Sequence, residues 1–238
     1  MLGPLGERYR LSWIEAIGTD PHYPVTEGWP HLVRQTIDFL EKRFQGEPVH
    51  AVGHSLGGYL GLLAAARRPE LFRAIVLLDA PVLGPVRGLL LRATKRLGMV
   101  DRVTPAGASR DRRSRWESRE EARAHFRTRR LFRHFAEECL DDYVAHGLVP
   151  EKGRLRLRID PAVEAEIYRT FPHSMPRRPP VPAGFIGGAD SDVVRRMGLR
   201  GMRGKFAMRK VPGGHLFPLE HPREAAQAVL ELIEEFGV

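Results

Sequence analysis

The chain has 238 residues, of which 42% are hydrophobic and 28% are charged. This length and composition suit one folded domain, or one domain carrying an insertion, and exclude a wholly disordered chain. No apolar run approaches the roughly 20 residues needed to cross a bilayer, and the first residues lack the pattern of a signal peptide. The single cysteine, Cys139, excludes an internal disulfide framework and a multi-cysteine metal site. These features predict a cytoplasmic protein with no membrane partner.

The chain is strongly basic, with a formal net charge of +9 and a pI of about 10.3. Such a balance can indicate binding to nucleic acid, to an anionic membrane surface or to acidic substrates. Only five of the 38 basic residues are lysines. An excess of arginine over lysine favours a compositional bias of the source genome over a dedicated electrostatic surface.

The first third of the chain alternates between strand and helix patterns. Residues 9–17 are predicted to form a short strand, and residues 28–44 an amphipathic helix with apolar side chains every three or four positions. A strand at 49–52 and an Ala/Leu-rich helix at 59–68 follow. Residues 74–78 are continuously apolar, which is typical of a strand buried on both faces of a parallel sheet. This alternation predicts an α/β core.

The middle of the chain has a different character. Residues 82–180 are rich in arginine and mostly helical by periodicity, with candidate helices at 86–97, 119–135, 137–146 and 161–171. Strand patterns then return at 181–186 and 206–211, before a final amphipathic helix at 222–236. We therefore expect a core built from residues 1–81 and 181–238, with residues 82–180 inserted as a helical cap.

A pentapeptide of the form Gly-x-Ser-x-Gly lies between a short strand and a helix, in the segment Gly-His-Ser-Leu-Gly-Gly at 53–58. This context is typical of a nucleophile elbow, in which Ser55 occupies a tight turn with its hydroxyl clear of the sheet. Gly53 and Gly57 are expected to leave room where a Cβ atom would clash. The amide of Leu56, at the start of the helix, is the predicted oxyanion donor.

A serine nucleophile requires a base and an acid, which in an elbow architecture follow in the order Ser, Asp or Glu, His. His215 lies in a glycine-rich loop after the last strand and is the predicted base. Three aspartates are candidates for the acid. We prefer Asp192, with Asp190 close beside it in the same turn and Asp79 at the carboxyl end of the strand before the insertion. His54 is interpreted as structural.

Four segments together resemble the α/β-hydrolase superfamily, in its cap-bearing branch of esterase-like and lactonase-like serine hydrolases. They are GHSLGG (53–58), AIVLLDAP (74–81), FIGGADSDVV (185–194) and GGHLFPLEHP (213–222). The resemblance implies a three-layer α/β fold with a mostly parallel sheet, helices on both faces and a helical cap. It also implies Ser55 as nucleophile, His215 as base and Asp192 as acid. The sequence has no glycine-rich phosphate loop and no HExxH-type metal pair, so we expect no cofactor.

The start of the chain departs from this family pattern. Family members usually begin with further core strands, one of which is followed by a loop that supplies a second oxyanion amide. Here the first recognisable strand is 9–17, so we expect that real sequence lies upstream, with truncation or loss of the strands as alternatives. Without that loop, Leu56 is the only predicted oxyanion donor, and removing one donor lowers the rate about 10²–10³-fold.

The resemblance predicts hydrolysis of an ester, lactone or thioester of a small acyl substrate. A serine at the elbow argues against haloalkane dehalogenases and epoxide hydrolases, which carry aspartate there. The second hypothesis is a weak or inactive hydrolase fold that acts as a binding protein. The third is a nucleic-acid binder, because ten arginines between 110 and 133 are interleaved with Trp116 and Phe126. We favour instead a solvated cap helix whose apolar side (Ala122, Phe126, Leu131 and Phe135) faces the active site.

Overall fold

The structure, a computed structural model, describes the backbone of residues 1–238 and every side chain except those of residues 103 and 108. In chain order the strands are β1 (Val49–His54), β2 (Phe72–Leu78), β3 (Arg115–Trp116), β4 (Leu148–Glu151), β5 (Arg154–Leu157), β6 (Ala183–Gly188) and β7 (Ala207–Val211). Strands β1, β2, β6 and β7 pair in that order as a parallel sheet. Strands β3, β5 and β4 form a small antiparallel sheet.

Helices cover both faces of the parallel sheet. In chain order they are α1 (Leu2–Gly6), α2 (Pro30–Phe44), α3 (Leu56–Arg67), α4 (Pro85–Arg96), α5 (Val100–Val103), α6 (Ala106–Arg110), α7 (Arg119–Thr128), α8 (Glu137–His146), α9 (Pro161–Arg169), α10 (Asp192–Met197), α11 (Phe217–Glu220) and α12 (Pro222–Phe236). Helices α2 and α3 contribute Leu32 and Leu62 to the apolar core on one face. Helices α1 and α12 contribute Leu5 and Val229 to the core on the other. The predicted three-layer α/β fold is confirmed.

The inserted segment contains more than the predicted helices. The antiparallel sheet of β3, β5 and β4 lies within it. Its strands have two to four residues, too short for a period-two pattern to be distinguished from a loop. The predicted helix 119–135 ends at Thr128 and is followed by a 3₁₀ turn at Arg130–Phe132.

The insertion has an apolar core of its own. Trp116, Ala122, Phe126 and Phe135 are buried in it, and they pack with residues of β4, β5 and α8. The apolar side predicted to face the active site therefore lies mostly inside this cluster, and Leu131 is exposed instead. Leu216 and Leu219, which come one and four residues after His215, also pack against this cluster.

The predicted strand at 9–17 is wrong, because these residues have no regular structure. In the described part of the chain β1 pairs only with β2, and a cavity of about 740 Å³ lies along its other side. Tyr9, Leu11 and Ile14 line this cavity together with β1. A strand forms only where a neighbouring strand accepts its backbone hydrogen bonds. Residues 9–17 contact β1 through the Tyr9 and His50 rings, 5.8 Å apart between centroids, but they do not pair with it as a strand.

Candidate active site

Ser55 stands at the turn between β1 and α3. Its backbone has φ 49° and ψ −113°, a strained conformation for a residue with a side chain. The Ser55 N–H donates to the carbonyl oxygen of Leu78 in β2 at 2.9 Å, which ties the turn to the sheet. Strained, well-anchored backbone of this kind holds a side chain clear of the sheet edge, as the sequence predicts for a nucleophile elbow.

Two glycines make this turn possible, and they are not both the expected ones. A Cβ atom on Gly53 would overlap the carbonyl carbon of Gly57. A Cβ atom on Gly58 would lie 2.7 Å from the Gly53 oxygen and 2.9 Å from the Ala80 Cβ. A Cβ atom on Gly57 would meet nothing within 4 Å. The expectation that Gly57 avoids a clash is therefore wrong, because it is the backbone of Gly57 that needs the space above Gly53.

Asp79 and His215 form a hydrogen-bonded pair beside the elbow. His215 Nδ1 lies 2.7 Å from Asp79 Oδ2, and the Asp79 side chain is fully buried. The same carboxylate accepts the Gly188 N–H at 2.8 Å and the Ser191 hydroxyl at 2.5 Å. A buried carboxylate needs several donors to compensate for lost water, and these three hydrogen bonds fix the orientation of the Asp79 side chain against the imidazole. Because Nδ1 of His215 faces Asp79, Nε2 lies on the other side of the ring, where the nitrogen that takes a proton from a serine is needed.

The preferred acid, Asp192, lies elsewhere. It occupies the first turn of α10, with its side chain half-exposed and hydrogen-bonded to Arg195. That bond lowers the pKa of the Asp192 carboxyl. Asp190 is also exposed, and it contacts the His215 loop through its backbone, donating to Gly213 O at 2.9 Å. The structure brings neither carboxylate to His215, because Ser191 caps α10 and leaves Asp192 on the outer side of that helix.

His54 supports the backbone of His215. Its Nε2 donates to the carbonyl oxygen of His215 at 2.8 Å, and the two rings lie 4.8 Å apart between centroids. Burial lowers the pKa of His54 to about 4, so its ring is neutral at pH 7 and donates through one nitrogen. His54 therefore has a structural role, as its hydrogen bond positions the loop that carries His215.

Glu220 is a second support that the sequence analysis did not single out. Its Oε2 accepts the N–H of Gly214 at 2.6 Å. The neighbouring Gly213 has φ 100°, and a Cβ there would lie 2.5 Å from the same oxygen. A carboxylate shortly after a glycine-rich loop, on the short helix α11, is the signal that could have identified it. Leu219 O in the same helix accepts the Ala136 N–H at 2.9 Å, which links the loop to the cap.

The site combines the serine of the elbow, the imidazole of His215 and the N-terminus of α3. The Leu56 amide is in the first turn of α3, where an α-helix leaves N–H groups without intrahelical acceptors. Among the described residues, Ser55 and His215 are not hydrogen-bonded to each other. In free enzymes such a hydrogen bond often forms only when the substrate binds. No group of three or more His, Cys, Asp or Glu side chains in the described part of the chain is arranged to hold a metal ion.

A family comparison gives this geometry its context. The sequence profile of the family described as "Alpha/beta hydrolase family" matches residues 6–228. The chain belongs to the alpha/beta hydrolase family. The match spans the parallel sheet, the segment between β2 and β6 and the loop of His215, so the resemblance based on four short segments extends over most of the chain.

Individual relatives are similar over different lengths. Human monoglyceride lipase is 43% identical over 51 residues, which are 21% of this chain and 17% of that enzyme. The structure of E-2-(acetamidomethylene)succinate hydrolase superposes with a TM-score of 0.67 at 20% identity, covering 89% of this chain and 76% of the other. The thioesterase domain from the curacin biosynthetic pathway gives a TM-score of 0.60 at 18% identity, covering 84% and 72%. At these identities the superpositions establish the fold.

Across the described residues, no helix is both long enough and apolar enough to cross a bilayer.

Proposed function

We propose that the protein is a serine hydrolase that cleaves an ester, lactone or thioester of a small acyl substrate. The observation that carries this proposal is the fully buried Asp79 carboxylate, which holds the His215 imidazole beside the strained Ser55 elbow. Family membership supports it, since the relatives include a lipase and a thioesterase. Asp79 replaces Asp192 as the acid in this proposal.

The proposed reaction proceeds through an acyl-enzyme. Ser55 Oγ attacks the substrate carbonyl carbon while His215 Nε2 takes the hydroxyl proton. The Leu56 N–H stabilises the oxyanion of the tetrahedral intermediate. His215 then protonates the leaving group as its bond to the acyl carbon breaks, and Asp79 stabilises the imidazolium between these steps. Water repeats the sequence on the acyl-enzyme and releases the acid.

The test is covalent labelling of the purified chain with a fluorophosphonate probe, whose phosphorus reacts with an activated serine and releases fluoride. We expect wild type to label, and Ser55→Ala and His215→Ala to remain unlabelled. Ser174→Ala removes an exposed serine from the cap segment and should label like wild type. A folded wild-type chain that does not label would contradict the proposal.

A binding protein with a hydrolase fold is the second candidate. The observation that favours it is the cavity of about 740 Å³ along the unpaired side of β1, beside the strand that carries the elbow. An oxyanion site needs a rigid surround to stabilise developing charge, and an open strand edge is less rigid than a paired one. The absence of labelling in a folded chain would favour this function over catalysis.

A further inference from the structure

Exposed apolar side chains are concentrated at one place on the surface. Among the described residues, nine large hydrophobic side chains are exposed, and five of them lie between positions 86 and 99. They are Val86 (78% exposed), Leu89 (68%), Leu90 (65%), Leu97 (71%) and Met99 (38%). All lie on α4 or directly after it. Such a cluster on one element marks an interaction surface, whereas scattered exposed leucines do not.

The spacing of these residues places them on one face of α4. Positions 86, 89, 90, 93 and 97 follow the i, i+3, i+4, i+7, i+11 pattern of a single helical stripe, and Ala93 at its centre is exposed as well. The opposite face is occupied, because a Cβ atom on Gly88 would overlap the carbonyl oxygen of His173. The helix therefore packs on the protein through its glycine side and presents its apolar stripe outward.

Cationic side chains flank this stripe on both sides. By helical geometry Arg87 lies on one flank, and Arg92 and Arg96 lie on the other. None of the three forms an ion pair with a described residue, whereas Lys95, on the packed side, contacts Glu27 at 2.7 Å. The segment 85–100 contains no acidic residue. A surface of leucines bordered only by arginines is complementary to apolar chains beneath negatively charged groups.

We propose that α4 binds the surface of a bilayer that contains anionic lipids. The apolar stripe would enter the boundary between headgroups and acyl chains, and the three arginines would contact lipid phosphates. The expectation of no membrane partner depended on the absence of a spanning segment, and a helix lying in the interface needs none. This surface does not include Ser55, His215 or Asp79, and the proposal does not depend on the chemistry of Ser55.

A bilayer fits this surface better than a protein partner does. The apolar area is a narrow stripe on one helix, without aromatic side chains. Protein interfaces are typically broader patches with aromatic anchors and a rim of mixed polar groups. A second copy of this chain would bring the same arginines against each other, which like-charge repulsion disfavours.

The test is flotation of the full chain with vesicles of phosphatidylcholine, with and without phosphatidylglycerol. We expect binding to the anionic vesicles that weakens with added salt. Leu89→Ser/Leu90→Ser keeps the net charge and should lower the partition coefficient about tenfold or more. Arg87→Gln/Arg92→Gln/Arg96→Gln should lower it about fivefold for each arginine removed.

Matched controls separate this surface from general attraction of a basic protein. Leu131→Ser alters another exposed cap leucine, and Arg129→Gln/Arg130→Gln/Arg133→Gln removes the same charge elsewhere on the cap. Both should bind anionic vesicles nearly as wild type does, and so should Ser55→Ala.

Three results would overturn the proposal. One is no binding to anionic vesicles, and another is equal losses in the control variants. The third is a wild-type dimer that Leu89→Ser/Leu90→Ser converts to a monomer, which would assign the stripe to a second copy. Fluorophosphonate labelling of the same samples reports the proposed hydrolase function separately.

Discussion

Asp79 and Asp192 differ in what surrounds their carboxylates. Asp79 is fully buried and accepts hydrogen bonds from Gly188, Ser191 and His215. Asp192 is half-exposed in the first turn of α10, where acidic side chains interact favourably with the helix dipole. The two residues therefore carry different predictions for activity.

Asp79→Asn should lower kcat toward an activated ester about 10³–10⁴-fold, because the imidazole loses the partner that fixes its tautomer. The matched change Asp192→Asn should alter kcat by no more than about twofold, since it removes only a surface ion pair. Steady-state hydrolysis by both variants, with circular dichroism to verify folding, measures the difference. Equal decreases of kcat in the two variants would mean that Asp192 also contributes to catalysis.

His54 makes stability depend on pH. Burial lowers the pKa of His54 to about 4, against an unfolded value of 6.5. As pH falls below 6.5, His54 becomes protonated in the unfolded chain. In the folded chain the same imidazole stays neutral until about pH 4. The free energy of unfolding should therefore fall by about 3 kcal/mol through this group between pH 7 and pH 4.

Urea unfolding of His54→Gln across this pH range tests that prediction. Glutamine can still donate to the His215 carbonyl but does not titrate, so the variant should lose about 3 kcal/mol less than wild type on acidification. His22→Gln, at a mostly exposed histidine, is the control and should follow wild type. Parallel curves for wild type and His54→Gln would show that folding does not change the pKa of His54.

At the scale of elements, the elbow depends on how closely β1 approaches α3. Gly53 lies in the strand and Gly58 in the first turn of the helix, and the two backbones are in contact. Gly57 lies between them but faces open space. Gly53→Ala should therefore lower the free energy of unfolding by about 3 kcal/mol or more, as overpacking against backbone does.

Gly57→Ala is the matched change at the same turn. It should leave stability unchanged or raise it by up to about 1 kcal/mol, because alanine is the better helix former. Chemical denaturation of the two variants measures this difference. A large loss in Gly57→Ala would mean that the space beside it is filled in solution.

The arginines between positions 110 and 133 pair mainly with acidic residues of the segment 82–180. Arg115 contacts Glu151 at 2.7 Å, and Arg123 contacts Asp141 at 2.6 Å. Trp116 and Phe126 are buried in the cap core, so they do not offer faces on which bases could stack. The feature on which the nucleic-acid hypothesis depended is thus part of the folded interior, and the solvated-helix interpretation fits the exposed arginines.

At the scale of the whole molecule, we propose that residues 82–180 form a cap with its own core on a base made of residues 1–81 and 181–238. Phe126→Ala should open a cavity and lower the free energy of unfolding by about 3–5 kcal/mol. We expect the cap to unfold locally before the base does. Hydrogen exchange measured by mass spectrometry should accelerate in β3–β5 and α7–α8, while β2 remains protected.

Val229→Ala is the control in the other core, on α12 beneath the parallel sheet. It should accelerate exchange in β2 and β6 more than in the cap. If either variant accelerates exchange uniformly over the chain, the cap and base unfold as one unit and the proposed division is wrong.

Much of this molecule could be predicted from local patterns. The elbow at Ser55 is a strand, a turn and a helix in immediate succession, and Gly53 in that pattern leaves the space that the turn needs. His215 follows from the order of strands, because the carboxyl ends of parallel strands meet at one edge of the sheet. The parallel core likewise follows from buried apolar runs that alternate with helices.

Contacts between distant segments decided the rest. Asp79 is the partner of His215 because Gly188 at the end of β6 and Ser191 at the start of α10 both donate hydrogen bonds to its carboxylate, across 109 and 112 positions of sequence. Asp192 instead satisfied every local rule. Residues 9–17 have a strand pattern but do not pair with β1, and a strand exists only with a partner. Local sequence thus determined the turns and the apolar faces of the helices. The tertiary structure decided which aspartate contacts His215 and which edge of β1 pairs with another strand. Both depend on burial and on hydrogen bonds between chain segments that are far apart in sequence.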